Sequence, residues 1–177
     1  MKNRAQIIGV LFLFLFFGCA RTSNHTDDEG EMAHRDLAMN FHRINSQLAT
    51  GGHFTDDGVT AIAEQGVTLV VDLRDEPPEG QEQLLAAVGI RWVNVPVVWK
   101  EPKLADFEEF SRVMTENENE NILVQCQANY RASAMTYAYR VARAGVPESE
   151  AREDLEAIWV PEGTWEAYVH EVLEVSD

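Results

Sequence analysis

The chain has 177 residues, and 30 Asp plus Glu against 14 Lys plus Arg give a formal charge of −16. That balance excludes a surface that holds nucleic-acid phosphates non-specifically, and the 45% hydrophobic and 25% charged fractions exclude wholesale disorder. Two cysteines are too few for a disulfide framework or a four-cysteine zinc site. The scattered His25, His34, His42, His53 and His170 have no metal-ligand spacing, so no metal and no other cofactor is expected.

Residues 1–18 read as a signal peptide. Lys2 and Arg4 supply a positive start, and the apolar run from Ile7 to Phe17 is too short for a spanning helix, which needs about 20 residues. The stretch Phe16-Phe17-Gly18-Cys19 resembles a bacterial lipobox, in which cleavage leaves a lipidated N-terminal cysteine, here Cys19. With Ala20 next, that resemblance implies an exported protein, lipid-anchored at the outer membrane and facing the periplasm. Residues 19–40 are polar and carry Asp27, Asp28, Glu29 and Glu31; they are expected to tether a domain spanning 41–177.

Ile44 to Ala49 suits a first strand, and Gly51-Gly52 after it reads as a turn rather than a phosphate cradle. Thr55 can cap a helix running to about Gln65, stopped by Gly66. Val67 to Leu73 is a nearly continuous apolar run, the pattern of a strand covered on both faces. A short helix over Gly80–Val88 follows, then a strand over Ile90–Val98 with Pro96 near its end. Leu104, Phe107, Phe110, Val113 and Met114 keep helical spacing. The polar Glu116–Asn121 stretch breaks that helix before a fourth strand, Ile122–Gln125. Helices are expected at Tyr130–Ala144, Pro147–Trp159 and Thr164–Val175. This alternation implies an α/β fold with a mainly parallel central sheet flanked by helices, and a ligand site beyond the carboxyl ends of the strands.

Cys126 stands in such a place. A buried strand ends at Cys126, a polar loop of Gln127, Ala128, Asn129 and Tyr130 follows, and Arg131 enters the next helix. Loop N–H groups and the positive helix end would form an anion site, and the same field would stabilise a Cys126 thiolate. The planar fork of Arg131 suits two oxygens of a phosphoryl group.

The C-x(4)-R loop, with Asn129-Tyr130-Arg131-Ala132-Ser133-Ala134, resembles the bacterial phosphatase-like branch of the protein tyrosine and dual-specificity phosphatase superfamily. It is also similar to the phosphatase-like domain found beside β-lactamase-like hydrolases. The likeness extends to Ala49-Thr50-Gly51-Gly52, Val71-Asp72-Leu73-Arg74, Val95-Pro96-Val97, and Ile158-Trp159-Val160-Pro161 with Trp165. It implies a dual-specificity-phosphatase-like fold and a metal-independent phosphoric monoester hydrolase working through a cysteinyl-phosphate, with protein phosphotyrosine one candidate substrate. Cys126 would attack phosphorus, and Arg131 would bind the phosphate with Gln127, Ala128, Asn129, Tyr130 and Ser133. A general acid would protonate the leaving oxygen.

Several positions depart from the family pattern. The loop is one residue shorter than the usual C-x(5)-R and holds no glycine, leaving Asn129 to take any left-handed conformation. Gln125 stands where His is usual. The loop expected to carry an acidic Asp reads Val98-Trp99-Lys100-Glu101-Pro102, so Glu101 is the nearest carboxylate there; Asp72 and Asp75 are further candidates. Two other functions share the motif: a rhodanese-like sulfurtransferase using a Cys126 persulfide, and a non-catalytic phosphate-binding module.

Overall fold

The computed structural model describes residues 37–55 and 57–176. Cys19, the expected leader and nearly all of the expected tether lie outside the described residues. Among those described, no helix is long and apolar enough to cross a membrane.

Eleven elements follow one another among the described residues. They are β1 (His42–Arg43), β2 (Leu48–Gly51), α1 (Gly58–Glu64), β3 (Leu69–Asp72), α2 (Gln81–Ala87) and β4 (Arg91–Asn94). Then come α3 (Leu104–Glu116), β5 (Ile122–Gln125), α4 (Tyr130–Ala142), α5 (Glu148–Glu156) and α6 (Thr164–Glu174). The strands form one sheet in the order β1-β2-β5-β3-β4, parallel throughout except that β1 runs antiparallel to β2. This is the expected α/β fold, with β5 in the centre.

Strand periodicity sorts the core into two layers. Leu69 and Val71 of β3, with Ile122 and Val124 of β5, pack against Phe107, Phe110, Met135, Trp165 and their neighbours on α3, α4 and α6. Cys126 continues the alternation of Ile122 and Val124 and lies in that same layer. Val70 and Leu123 face the opposite layer, with Ile62, Leu85 and Leu37. Asp72 and Gln125 carry that second face to the sheet's carboxyl edge.

Several boundaries differ from the expected ones, and the strand expected over Ile90–Val98 ends at Asn94. The single strand expected over Ile44–Ala49 is instead a hairpin, because the Asn45 carboxamide accepts hydrogen bonds from the N–H groups of Gln47 (2.9 Å) and Leu48 (2.9 Å) and turns the chain. The packed domain also begins before Phe41. Leu37 and Ala38 are buried, and Ala38 bridges to Phe54. Two apolar residues in a polar stretch have no periodicity by which to announce this.

Candidate active site

The loop between β5 and α4 is shaped by its carbonyls. The Gln127 carbonyl accepts from the His53 backbone N–H at 3.0 Å and lies 3.0 Å from His53 Nδ1. The Ala128 carbonyl accepts from Asn40 Nδ2 (3.1 Å), the Asn129 carbonyl from the Ser133 N–H (2.9 Å), and the Tyr130 carbonyl from Trp159 Nε1 (3.1 Å). In a planar trans peptide the next N–H points the opposite way. Holding the Gln127 carbonyl against His53 therefore turns the Ala128 amide away from His53. The N–H groups of Gln127 and Ala128 make no hydrogen bond among the described residues.

Asn129 takes the left-handed conformation (φ 69°) that the glycine-free loop demands, and its Nδ2 donates to the Asn40 carbonyl (2.6 Å) and Thr50 Oγ1 (3.0 Å). Gly52 lies against the same loop. A Cβ there would sit 2.8 Å from the Gln127 carbonyl oxygen and 2.9 Å from that of Met39. Gly52 is thus a backing plate for the loop rather than only a turn. His53, given no role from sequence, is bonded to the loop's backbone. Neither contact leaves a local signal, since both partners lie more than seventy residues away along the chain.

Cys126, Gln127, Ala128, Tyr130, Arg131 and Trp99 line a cavity of about 250 Å³. Cys126 is buried, and its N–H donates to the Gly51 carbonyl (3.0 Å). Arg131 is buried as well, with one nitrogen committed. Its Nη1 donates to Asp75 Oδ1 (2.8 Å) and to the Val97 carbonyl (2.5 Å). Nε and Nη2 make no hydrogen bond among the described residues, so one edge of the guanidinium is anchored and the other is free. The hydrogen bond from Arg131 holds the Asp75 carboxyl below the usual carboxylate range, against a smaller opposing effect of burial.

The other sequence candidates are placed elsewhere. Glu101 is exposed, 3.8 Å from Lys103 Nζ, and does not line the cavity. Ser133 turns its hydroxyl to the Tyr130 carbonyl (3.1 Å) and accepts from Trp159 Nε1 (3.1 Å), supporting the first helical turn rather than the cavity. Asp72 is fully buried beneath Arg74, whose Nε lies 3.0 Å and Nη2 2.6 Å from its carboxylate oxygens. Gln81 Nε2 donates to Asp72 Oδ2 (2.9 Å) and to Gln125 Oε1 (2.8 Å), and Gln125 Nε2 donates to the Gly52 carbonyl (3.1 Å). The Gln at the usual His position therefore ties β5 to the start of α2 and to Gly52, on the face opposite Cys126.

Trp99 is packed as well as cavity-lining. It stacks on Trp165 at 5.2 Å between ring centroids, lies 6.5 Å from Tyr130, and accepts a hydrogen bond from Trp165 Nε1 at its carbonyl (3.0 Å). Tyr130 in turn stacks on Trp159 at 4.9 Å.

A mainly parallel α/β sheet with a cysteine–loop–arginine cavity at its carboxyl edge is the architecture of the dual-specificity-phosphatase-like fold. Residues 25–167 match the family described as DSP-PTPase phosphatase fused to NAD+ kinase, and the chain belongs to that family. Among solved structures it is similar to a DUF442 protein of Shewanella putrefaciens CN-32 described as a candidate phosphatase. Identity is 25%, TM-score 0.70, and 82% of this chain and 98% of that one are covered. The fold is also shared with the core catalytic domain of the PP-IP phosphatase SIW14 of S. cerevisiae, at 14% identity, TM-score 0.65 and coverage of 79% and 86%. PTPMT1 in complex with PI(5)P matches at 15% identity, TM-score 0.64 and coverage of 77% and 96%. No curated protein matches the chain by sequence.

Proposed function

We propose that the chain is a cysteine-dependent phosphatase that hydrolyses a phosphomonoester through a cysteinyl-phosphate. The observation that carries this reading is the convergence of Cys126, the free Nε/Nη2 edge of Arg131 and the loop's unpaired N–H groups on one cavity. Cys126 Sγ forms a bond to phosphorus as the bond to the leaving oxygen breaks. Arg131 and the loop amides hold the three remaining oxygens as charge builds on them. Water then attacks phosphorus, the S–P bond breaks, and phosphate leaves with the thiolate restored. The reaction needs no metal, so a chelator leaves the rate unchanged.

Rapid quenching with a ³²P-labelled aryl phosphate tests this directly. Label is expected on the wild-type chain at Cys126 and absent from Cys126→Ser; turnover by Cys126→Ser at the wild-type rate overturns the mechanism. Thiosulfate-dependent sulfur transfer without phosphate release would replace it with the persulfide reading. Phosphate-analogue binding without turnover would replace it with a binding module.

The lipobox-like leader further supports attachment of this domain through Cys19 to a bacterial envelope, at the outer membrane facing the periplasm. Labelled palmitate is expected in the native chain and absent from Cys19→Ser; equal labelling of both would refute the anchor.

A further inference from the structure

The cavity holds a nucleophile and a cation but no acid. Among the described residues no carboxylate lines it. Asp75 Oδ1 accepts from Arg131, and that hydrogen bond holds the carboxyl below the usual range, against the protonated form a donor to a leaving group needs. Asp72 lies buried in its pair with Arg74. Glu101 faces solvent beside Lys103, and Asp106 Oδ2 accepts the Lys103 N–H at 2.9 Å at the start of α3.

The wall, by contrast, is aromatic. Trp99 (39% exposed) and Tyr130 (38% exposed) flank the cysteine and arginine, and each is backed by a second stacked ring, Trp165 and Trp159. Such a wall is fixed before a ligand arrives and offers flat apolar faces. Among the described residues Arg131 is the only cation lining the cavity, so the site has the charge for one phosphoryl group and little for a second.

We propose that this site selects monophosphate esters of acidic phenols, whose leaving group departs as a stabilised phenolate without receiving a proton from a carboxylic acid. The proposal rests on the cysteine-dependent reading above. In the first step the S–P bond forms, the P–O bond breaks, and its electron pair leaves on the phenolic oxygen, which is protonated by bulk water. In the second step water bonds to phosphorus, the S–P electron pair returns to Cys126, and the water's proton passes to solvent. With no carboxylate to take that proton, the second step is slow, and the cysteinyl-phosphate accumulates whenever the first is fast. General acid–base assistance is worth roughly 10²–10⁴-fold, so its absence separates substrates by the acidity of their leaving groups.

The test measures kcat/KM and pre-steady-state kinetics of the full chain on a series of substituted phenyl phosphates, with phosphotyrosine, phosphoserine and acetyl phosphate alongside. The rate is expected to fall on the order of tenfold per unit rise in phenol pKa. Phosphotyrosine, whose phenol has a pKa of about 10, should be slow and phosphoserine inert. The most acidic phenols should give a stoichiometric burst. Acetyl phosphate, an activated substrate without a ring, separates activation from ring recognition. It should be slower than an aryl ester of equal leaving-group acidity, and Trp99→Ala should narrow that gap. Glu101→Gln and Asp75→Asn should leave the slope of the series unchanged, whatever Asp75→Asn does to its height.

A shallow slope with phosphoserine turnover that still requires Cys126 overturns the acid-free site and leaves the cysteine mechanism standing. A slope that steepens in either carboxylate variant identifies that residue as the acid and has the same effect. Turnover independent of Cys126 overturns the mechanism itself.

Discussion

Arg74 and Arg131 are two arginines of nearly equal burial, each paired with an aspartate at or just beyond the end of β3, and they do opposite jobs. Arg74 spends Nε and Nη2 on Asp72, and Nη2 also meets Gln81 and Gln125. Arg131 spends only Nη1. Burial and charge pairing alike fail to separate a structural arginine from a ligand-binding one. What separates them is the count of donors left unspent beside a cavity, where a ligand can supply the missing partners. Asp72 closes a network, whereas Asp75, half out in solvent, steadies one edge of a guanidinium whose other edge stays free.

The contrast can be broken by experiment. Arg131→Ala should lower kcat/KM on an aryl phosphate by about 10³-fold while the thermal transition stays close to that of the native chain. A variant that unfolds early, or that keeps its activity, would put Arg131 in the same class as Arg74. Asp72→Ala should do the reverse, stripping a buried cation of its partner at about 3–5 kcal/mol in denaturant titration. A cost under 1 kcal/mol there would mean that Gln81 and Gln125 suffice to hold Arg74.

Gly52→Ala tests the backing of the loop. Its Cβ meets two backbone oxygens rather than a flexible side chain, so a loss of about 1–3 kcal/mol and a raised KM are expected together. Unchanged KM would show that the loop's shape does not depend on Gly52. The smallest effect belongs to Asp75→Asn, about tenfold in kcat/KM with little change in stability. The Asp75 carboxyl is depressed in the folded chain. Its ion pair is therefore fully formed above the ordinary aspartate pKa and is lost only as the pH falls through the depressed value. Acid titrations of wild type and Asp75→Asn should converge only at the acidic extreme; convergence near neutrality would show that the pair does not form in solution.

Local chemistry made much of this legible from sequence. Continuous apolar runs marked β3 and β5, the cysteine at the end of β5 and the arginine behind it marked the cavity, and a loop without glycine pointed to Asn129 for the left-handed residue. Contacts between distant segments were illegible. Arg131 meets Asp75 from 56 residues away and His53 meets Gln127 from 74, and neither pairing follows from composition or period. Glu101 illustrates the converse failure. Its place in the chain suited an acid, but the chain turns between β4 and α3 so that its side chain joins Lys103 in solvent. Ser133 was sought as a phosphate donor and is instead consumed by the first turn of α4 and by Trp159.

The stack behind the cavity has an optical consequence. Three of the chain's four tryptophans, Trp99, Trp159 and Trp165, form one connected ladder whose middle ring, Trp99, walls the site. Excitation absorbed by any rung can migrate to its neighbours over these short separations, so emission should report on the whole ladder. A nitrophenyl ring seated against Trp99 would darken all three at once, making the molecule its own gauge of occupancy.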